Sequence, residues 1–187
     1  MNLNEIPIRE KYKEFYGNNC VQMKLLIKDK RTPLSIKQII ERRLNSNQPD
    51  WKDNYFDTCD AIIYGEKGKF KIVKNAKILK KLNKDTKLIN GAIPITKEQY
   101  NKFNEEEFDF NTPNEVIWKF LLEELYTPYI ELLGYIPEVW FSILDSYCVR
   151  ASVVGGLELR SRLSGRDDLD IGSGRLVGLA SEMLELK

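Results

Sequence analysis

The sequence predicts an α+β fold: a small mixed or antiparallel sheet, flanking helices and a helical C-terminal section. Three stretches carry that expectation. Ser35 with Gln38 three residues on has capping-box spacing, and Ile36, Ile39, Ile40 and Leu44 then fall on one helical face. Residues 60–73 read as a β-hairpin, because the β-rich runs AIIY and FKIV flank GEKGK with its turn glycines Gly65 and Gly68. Thr112-Pro113-Asn114-Glu115 supplies an N-cap, a proline at the first helical position and an acid three after the cap. The helix it opens turns Val116, Ile117, Phe120, Leu121 and Leu125 inward.

The remaining elements follow in order. Residues 21–28 (VQMKLLIK) read as a strand. Residues 45–58 are turn-rich and polar, a loop anchored by Trp51, Tyr55 and Phe56. A short helix is expected at 75–83, a strand at 88–95, and a short helix at 97–103 capped by Thr96. Pro128 ends or kinks the helix begun at 113, and a helical turn reaches Gly134. Pro137 is expected to open a second helix through PEVWFSILDSYCVR. Trp140, Phe141, Ile143, Leu144 and Tyr147 make that stretch apolar round much of its circumference, so its own domain or a partner must bury it. Residues 174–187 read as an amphipathic helix through Leu176, Leu179, Ala180, Met183 and Leu186.

Composition narrows the function classes. The 187 residues suffice for one sizeable core. With 29 basic and 28 acidic residues, no global field recruits nucleic acid or a membrane. There is no histidine, which removes histidine triads, histidine bases and histidine metal ligands. Cys20, Cys59 and Cys148 are odd in number and far apart; they read as reduced thiols, not a zinc site or a disulfide framework. The N-terminus lacks the apolar core of a signal peptide and no apolar run is long enough to span a bilayer, so a cytoplasmic location away from membranes is expected.

Composition shifts near residue 150. Residues 1–150 hold 19 of the 20 lysines and all 14 asparagines, whereas 151–187 hold six of the eleven glycines and four of the nine arginines. The expected organisation is one α+β domain over 1–150 and a C-terminal extension, 151–187, packing on that body or on a neighbouring subunit. Thirty-seven residues are too few for a core of their own.

Three constellations could carry chemistry. Residues 67–87 hold nine lysines, and on a helix Lys74, Lys77, Lys81 and Lys84 would share a face, as candidate contacts for nucleic acid or another anion. The bland alternative is a solvated lysine face. Residues 98–124 hold eight acids and two lysines, a counterweight able to pair with the lysines within the fold or between subunits. In the tail, Gly155-Gly156 is followed by Asp168-Leu169-Asp170. This locally resembles the nucleotidyltransferase pattern of a glycine pair on a turn followed by a strand bearing Asp-x-Asp. The resemblance implies that Asp168 and Asp170 hold Mg²⁺ with nucleotide phosphates; that family's third carboxylate has no counterpart in the 17 residues after Asp170. Asp170-Ile171-Gly172-Ser173-Gly174 is likewise similar to the first glycine motif of SAM-dependent methyltransferases, but the chain stops before the rest of that sheet. The simpler reading makes these glycines turns and leaves Asp167, Asp168 and Asp170 solvated or paired with Arg160, Arg162 and Arg166.

The expected function is a non-enzymatic binding or assembly protein, self-associating, with no cofactor or resident metal and a protein partner or second copy as its ligand. Its interface would use Trp140, Phe141, Leu176, Leu179 and Met183. The alternatives are a Mg²⁺-dependent nucleotidyl- or phosphoryl-transfer enzyme acting through Asp168 and Asp170, and a lysine-driven nucleic-acid binder.

Overall fold

The computed structural model describes residues 11–144, 146–157 and 162–180. In chain order the elements are β1 (Tyr12–Tyr16), α1 (Asn19–Lys28), β2 (Arg31–Pro33), α2 (Ile36–Asn45), α3 (Pro49–Asp53), β3 (Phe56–Tyr64), β4 (Lys69–Val73), β5 (Ile93–Pro94), α4 (Lys97–Asn101), β6 (Glu107–Asp109), α5 (Asn114–Leu122), α6 (Tyr126–Leu133), β7 (Val139–Trp140), β8 (Cys148–Val154), β9 (Leu163–Ser164) and β10 (Arg175–Ala180). This is the α+β class that the sequence predicts.

One mixed sheet runs β1-β10-β3-β8-β9-β7, with β2 beside β10, β4 and then β6 beside β3, and β5 beside β8. β3 is its spine, buried along its whole length. Its alternation feeds two cores. Ile62 and Tyr64 join Phe70, Ile36, Ile40, Trp118, Leu122 and Tyr129, under α2, α5 and α6. Ala61 and Ile63 join Met23, Leu26, Leu79, Tyr100 and Leu176, under α1 and the segment around residues 76–103. A strand covered on both faces needs an unbroken apolar run, which AIIY supplies.

Several elements form as their local signals dictate. Ser35 and Gln38 make the full capping box of α2, and Thr96 with Gln99 makes that of α4. β3 and β4 form the hairpin, with Tyr64 opposite Phe70. α5 begins where expected, yet the Thr112 hydroxyl accepts the Asp109 N–H at 3.0 Å instead of capping the helix. The short helix expected at 75–83 contracts to a 3-10 turn at Leu79–Lys81. The strand expected at 88–95 contracts to β5, after a tight turn in which Asn90 and Gly91 take positive φ.

Three expectations are corrected. Residues 21–28 are helical. Asn18 caps α1 by accepting the Val21 N–H, and Cys20, Met23 and Leu26 recur at a helical interval on the buried side. The helix expected after Pro137 is extended chain. Trp118 Nε1 donates to Pro137 O at 2.9 Å, while Glu138 O and Trp140 O accept the N–H groups of Leu163 and Gly165. Those bonds hold the segment against β9. The expected helix at 174–187 is, over 175–180, the central strand β10. Leu176 and Val177 point to opposite faces and both are fully buried, so no alternation marks it as a strand. Residues 181–187 lie outside the described residues. The boundary drawn at 150 falls inside β8, and β10 pairs with β1, β2 and β3.

Among the described residues no helix is long and apolar enough to cross a membrane.

Candidate functional site

The first residue of α1, the start of β3, the end of β8 and the loop from β9 to β10 meet around a cavity of about 270 Å³. Asn19 comes from α1, Tyr55 from just before β3, Asp57 from the start of β3, and Val153 from β8. Arg162, Ser164, Asp167, Asp168, Ile171 and Ser173 come from the stretch 162–174. That stretch has little regular structure, and hydrogen bonds and a buried leucine pin it. The Leu169 N–H donates to Gly91 O at 2.7 Å, the Asn19 N–H donates to Leu169 O at 2.9 Å, Leu169 is fully buried, and the Tyr55 hydroxyl donates to Ser173 O.

Asp57 forms the floor. It is 4% exposed, and its Oδ2 accepts from Gln22 Nε2 at 2.5 Å. The Asn19 side chain and the Arg175 N–H also bond it. A Cβ at Gly174 would collide with this carboxylate and with Gly17 O, so only glycine fits there. Burial pushes the Asp57 carboxyl up from 3.8 to about 6, and Asp167 nearby adds to the rise; the amide and N–H donors oppose it.

Asp60, on the same strand, is also pushed up to about 6 by burial, against donation from the Asn75 and Ile36 N–H groups at 2.6 and 2.7 Å. Both folded-state values lie above the unfolded one. The native state therefore holds protons that the unfolded chain releases near pH 4. The contribution of these groups is fully present below that pH, falls as pH rises through about 4 to 6, and is flat above. Each rise corresponds to roughly 3 kcal/mol. Asp57→Asn is expected to raise stability at pH 7 by about 1–3 kcal/mol and to remove about half of the dependence between pH 4 and 6, Asp60 keeping the rest, measured by urea denaturation.

The Asp-x-Asp pair does not lie on a strand; residues 168–170 form a loop and turn. Asp168 Oδ1 is bound by Arg150 Nη1 at 2.5 Å, and Arg150 also donates to Arg166 O and, at 2.8 Å, to Asn90 O. That carboxylate therefore holds the loop to the Asn90–Gly91 turn. Asp170 is exposed. Among the described residues no group of three or more Cys, Asp or Glu side chains is placed to hold a metal ion.

The lysine face divides. Lys74 Nζ donates to Phe120 O and to Glu123 Oε1, both at 2.6 Å, and Lys37 reaches Glu123 at 2.6 Å. These hydrogen bonds, Lys37 first, draw the Glu123 carboxyl down to about 2. Lys69 pairs with Glu107 at 2.5 Å, so part of the basic and acidic blocks meet within the fold. Lys77, Lys81 and Lys84 are exposed.

The interface residues expected from sequence also divide. Leu176 is fully buried and Leu179 nearly so, because they belong to a central strand and not to a helix. Phe141 packs on Phe70 at 4.0 Å between ring centroids, and Met183 lies outside the described residues. Trp140 remains near the surface beside the cavity. The Arg162 and Arg166 guanidinium groups lie over its ring at 4.1 and 5.5 Å.

Sequence reasoning missed Asp57, Asn19 and Gln22. The available signal was weak: two acids, Asp57 and Asp60, inside a strand that carries no other charge.

No family model matches the chain, and no curated protein matches it. A solved structure does, from work on the accommodation of massive sequence variation in Nanoarchaeota by the C-type lectin fold. It covers 91% of this chain and 98% of its own, at 18% identity and a TM-score of 0.66. That likeness concerns architecture alone: the chain has a C-type lectin-like fold.

Proposed function

We propose that this chain is a non-enzymatic binding protein that takes a protein partner at the face bearing the Asp57 cavity. The observation that carries the reading is the cavity itself, walled by an irregular loop and floored by a carboxylate held in place by α1. In the Nanoarchaeota neighbour the same fold accommodates massive sequence variation. A scaffold with that tolerance suits a surface built from loops on a fixed sheet. The Asp168–Arg150 pair supports a structural use of the Asp-x-Asp stretch over a catalytic one.

The test is a set of amide correlation spectra of ¹⁵N-labelled protein, recorded with a fragment library and separately with Mg²⁺-ATP. Fragment-induced shifts are expected to cluster at residues 19, 55–57 and 162–174, with the nucleotide left intact. Nucleotide turnover that disappears in Asp168→Asn/Asp170→Asn would overturn the reading in favour of the enzyme.

Self-association has one supporting observation: Val21 and Leu25, one helical turn apart on the outer side of α1, are 42% and 48% exposed. Light scattering coupled to size exclusion, at low and high salt, decides it. A salt-resistant dimer supports self-association; a 21.8 kDa monomer excludes it.

A further inference from the structure

We propose that the cavity floored by Asp57 binds an organic cation, an alkylammonium or guanidinium group, with the Asp57 carboxylate as its counter-charge. This rests on the reading of that face as the binding face and names the chemistry it selects.

Four observations converge. Asp57 is buried, and among the described residues it forms no ion pair. A buried charge without a partner is costly, and a ligand cation supplies that partner. The carboxylate is aligned in advance by Gln22, Asn19 and the Arg175 N–H, all neutral donors that fix its position without cancelling its charge. Asn19 lines the cavity, is 5% exposed, and among the described residues its Oδ1 has no hydrogen-bond partner. That acceptor, beside Asp57 and Asp167, suits a group carrying several N–H donors. The cations nearby are otherwise engaged. Arg150 is committed to Asp168, and Arg162, which also lines the cavity, stacks over Trp140. Arg162 keeps its charge in that stack, so the lining sets three carboxylates, Asp57, Asp167 and Asp168, against one guanidinium, and with Asp168 held by Arg150 the balance still favours cations over anions.

The test uses the full chain, ¹⁵N-labelled, titrated at pH 7. The probes are N-acetyl-lysine methylamide, N-acetyl-arginine methylamide, putrescine, N-acetyl-norleucine methylamide as the neutral control, and CaCl₂. Saturable shifts at Asn19, Asp57 and Asp167 are expected with the cationic probes and not with the norleucine compound. If the acetylated amino acids bind more tightly than putrescine, the cation is a side chain presented by a protein; the reverse order identifies a free amine. Affinity is expected to fall by about tenfold or more in Asp57→Asn, which preserves shape, and by less in Asp167→Asn at the cavity wall. Equal binding of the norleucine compound, or unchanged affinity in both variants, overturns the proposal. So does CaCl₂ saturating the same amides and displacing the cationic probes. Fragments that still map to this face while cations do not would defeat the cation proposal and leave the binding-face reading standing.

Discussion

A chain ending at residue 150 is expected to lose its cooperative fold. The 37 residues removed contribute β10, which lies inside the sheet between β1 and β3. Tyr12–Tyr16 pair residue for residue with Arg175–Leu179, and Arg31–Pro33 with Gly178–Ala180. Without β10 both β1 and β2 lose their sheet partner, and β3 gains a free edge. Leu163, Leu169 and Leu176, all fully buried, would be withdrawn from the two cores, and Val177, also fully buried, from a third cluster with Tyr12, Leu34, Trp51 and Phe56. Each such side chain contributes on the order of 1.5–3 kcal/mol by burial, and a domain's whole stability is on the order of 5–15 kcal/mol. Four such side chains amount to about 6–12 kcal/mol, comparable to the whole stability, and the pairing of β1 and β2 is lost on top of that. Thermal unfolding followed by circular dichroism should show no sigmoidal transition for the truncated chain. Leu176→Ala offers a graded version, expected to cost about 2–5 kcal/mol. A truncated chain that melts cooperatively would show that 1–150 folds alone and that the tail is an appendage.

Arg43→Ala is expected to destabilise the protein by about 3–5 kcal/mol. Arg43 lies in α2 and is fully buried. Its Nε donates to Trp51 O at 2.8 Å, its Nη2 to Asn54 O at 2.9 Å, and its Nη1 reaches the Tyr129 hydroxyl at 3.5 Å. One side chain thus ties the polar stretch 45–55 to α2 and α6. Burial draws the guanidinium pKa down, so the site holds the charge through carbonyl dipoles instead of a carboxylate. Truncation leaves those acceptors unpaired beside a void, and both penalties add. Arg43→Met fills most of the volume and should recover part of the loss, which separates the packing cost from the polar cost. Urea denaturation of the three proteins measures both. Equal stability of Arg43→Ala and the parent would contradict the assigned role.

What the sequence made legible, and what it hid, follows from how local each determinant is. α2 and α4 were readable because a capping box lies within four residues of chain. The β3–β4 hairpin was readable because its turn glycines sit between two β-rich runs. α1, β7 and β10 were misread because neighbours distant in sequence decide them. VQMKLLIK has strand-like composition, but Met23 and Leu26 have a core on one side only. The run after Pro137 is extended because its carbonyls are taken by the β9 region. β10 is apolar on both faces, so its spacing mimics an amphipathic helix as readily as a strand. The cavity was the least legible feature. Its floor is at residue 57 and its orienting amides are at 19 and 22. Its wall is at 162–174, and no spacing rule joins them. The Asp-x-Asp stretch drew attention through its resemblance to a catalytic motif, while its Asp168 serves to anchor that wall.

Asp57 is a buried carboxylate at the floor of the cavity, and among the described residues it forms no ion pair. The most direct measurement is the titration of its side-chain carbonyl by ¹³C NMR in the full-length protein. A midpoint near 6 is expected, as burial beside Asp167 requires. A midpoint at or below the ordinary 3.8 would mean that the carboxylate is solvated or already paired, and would contradict the account.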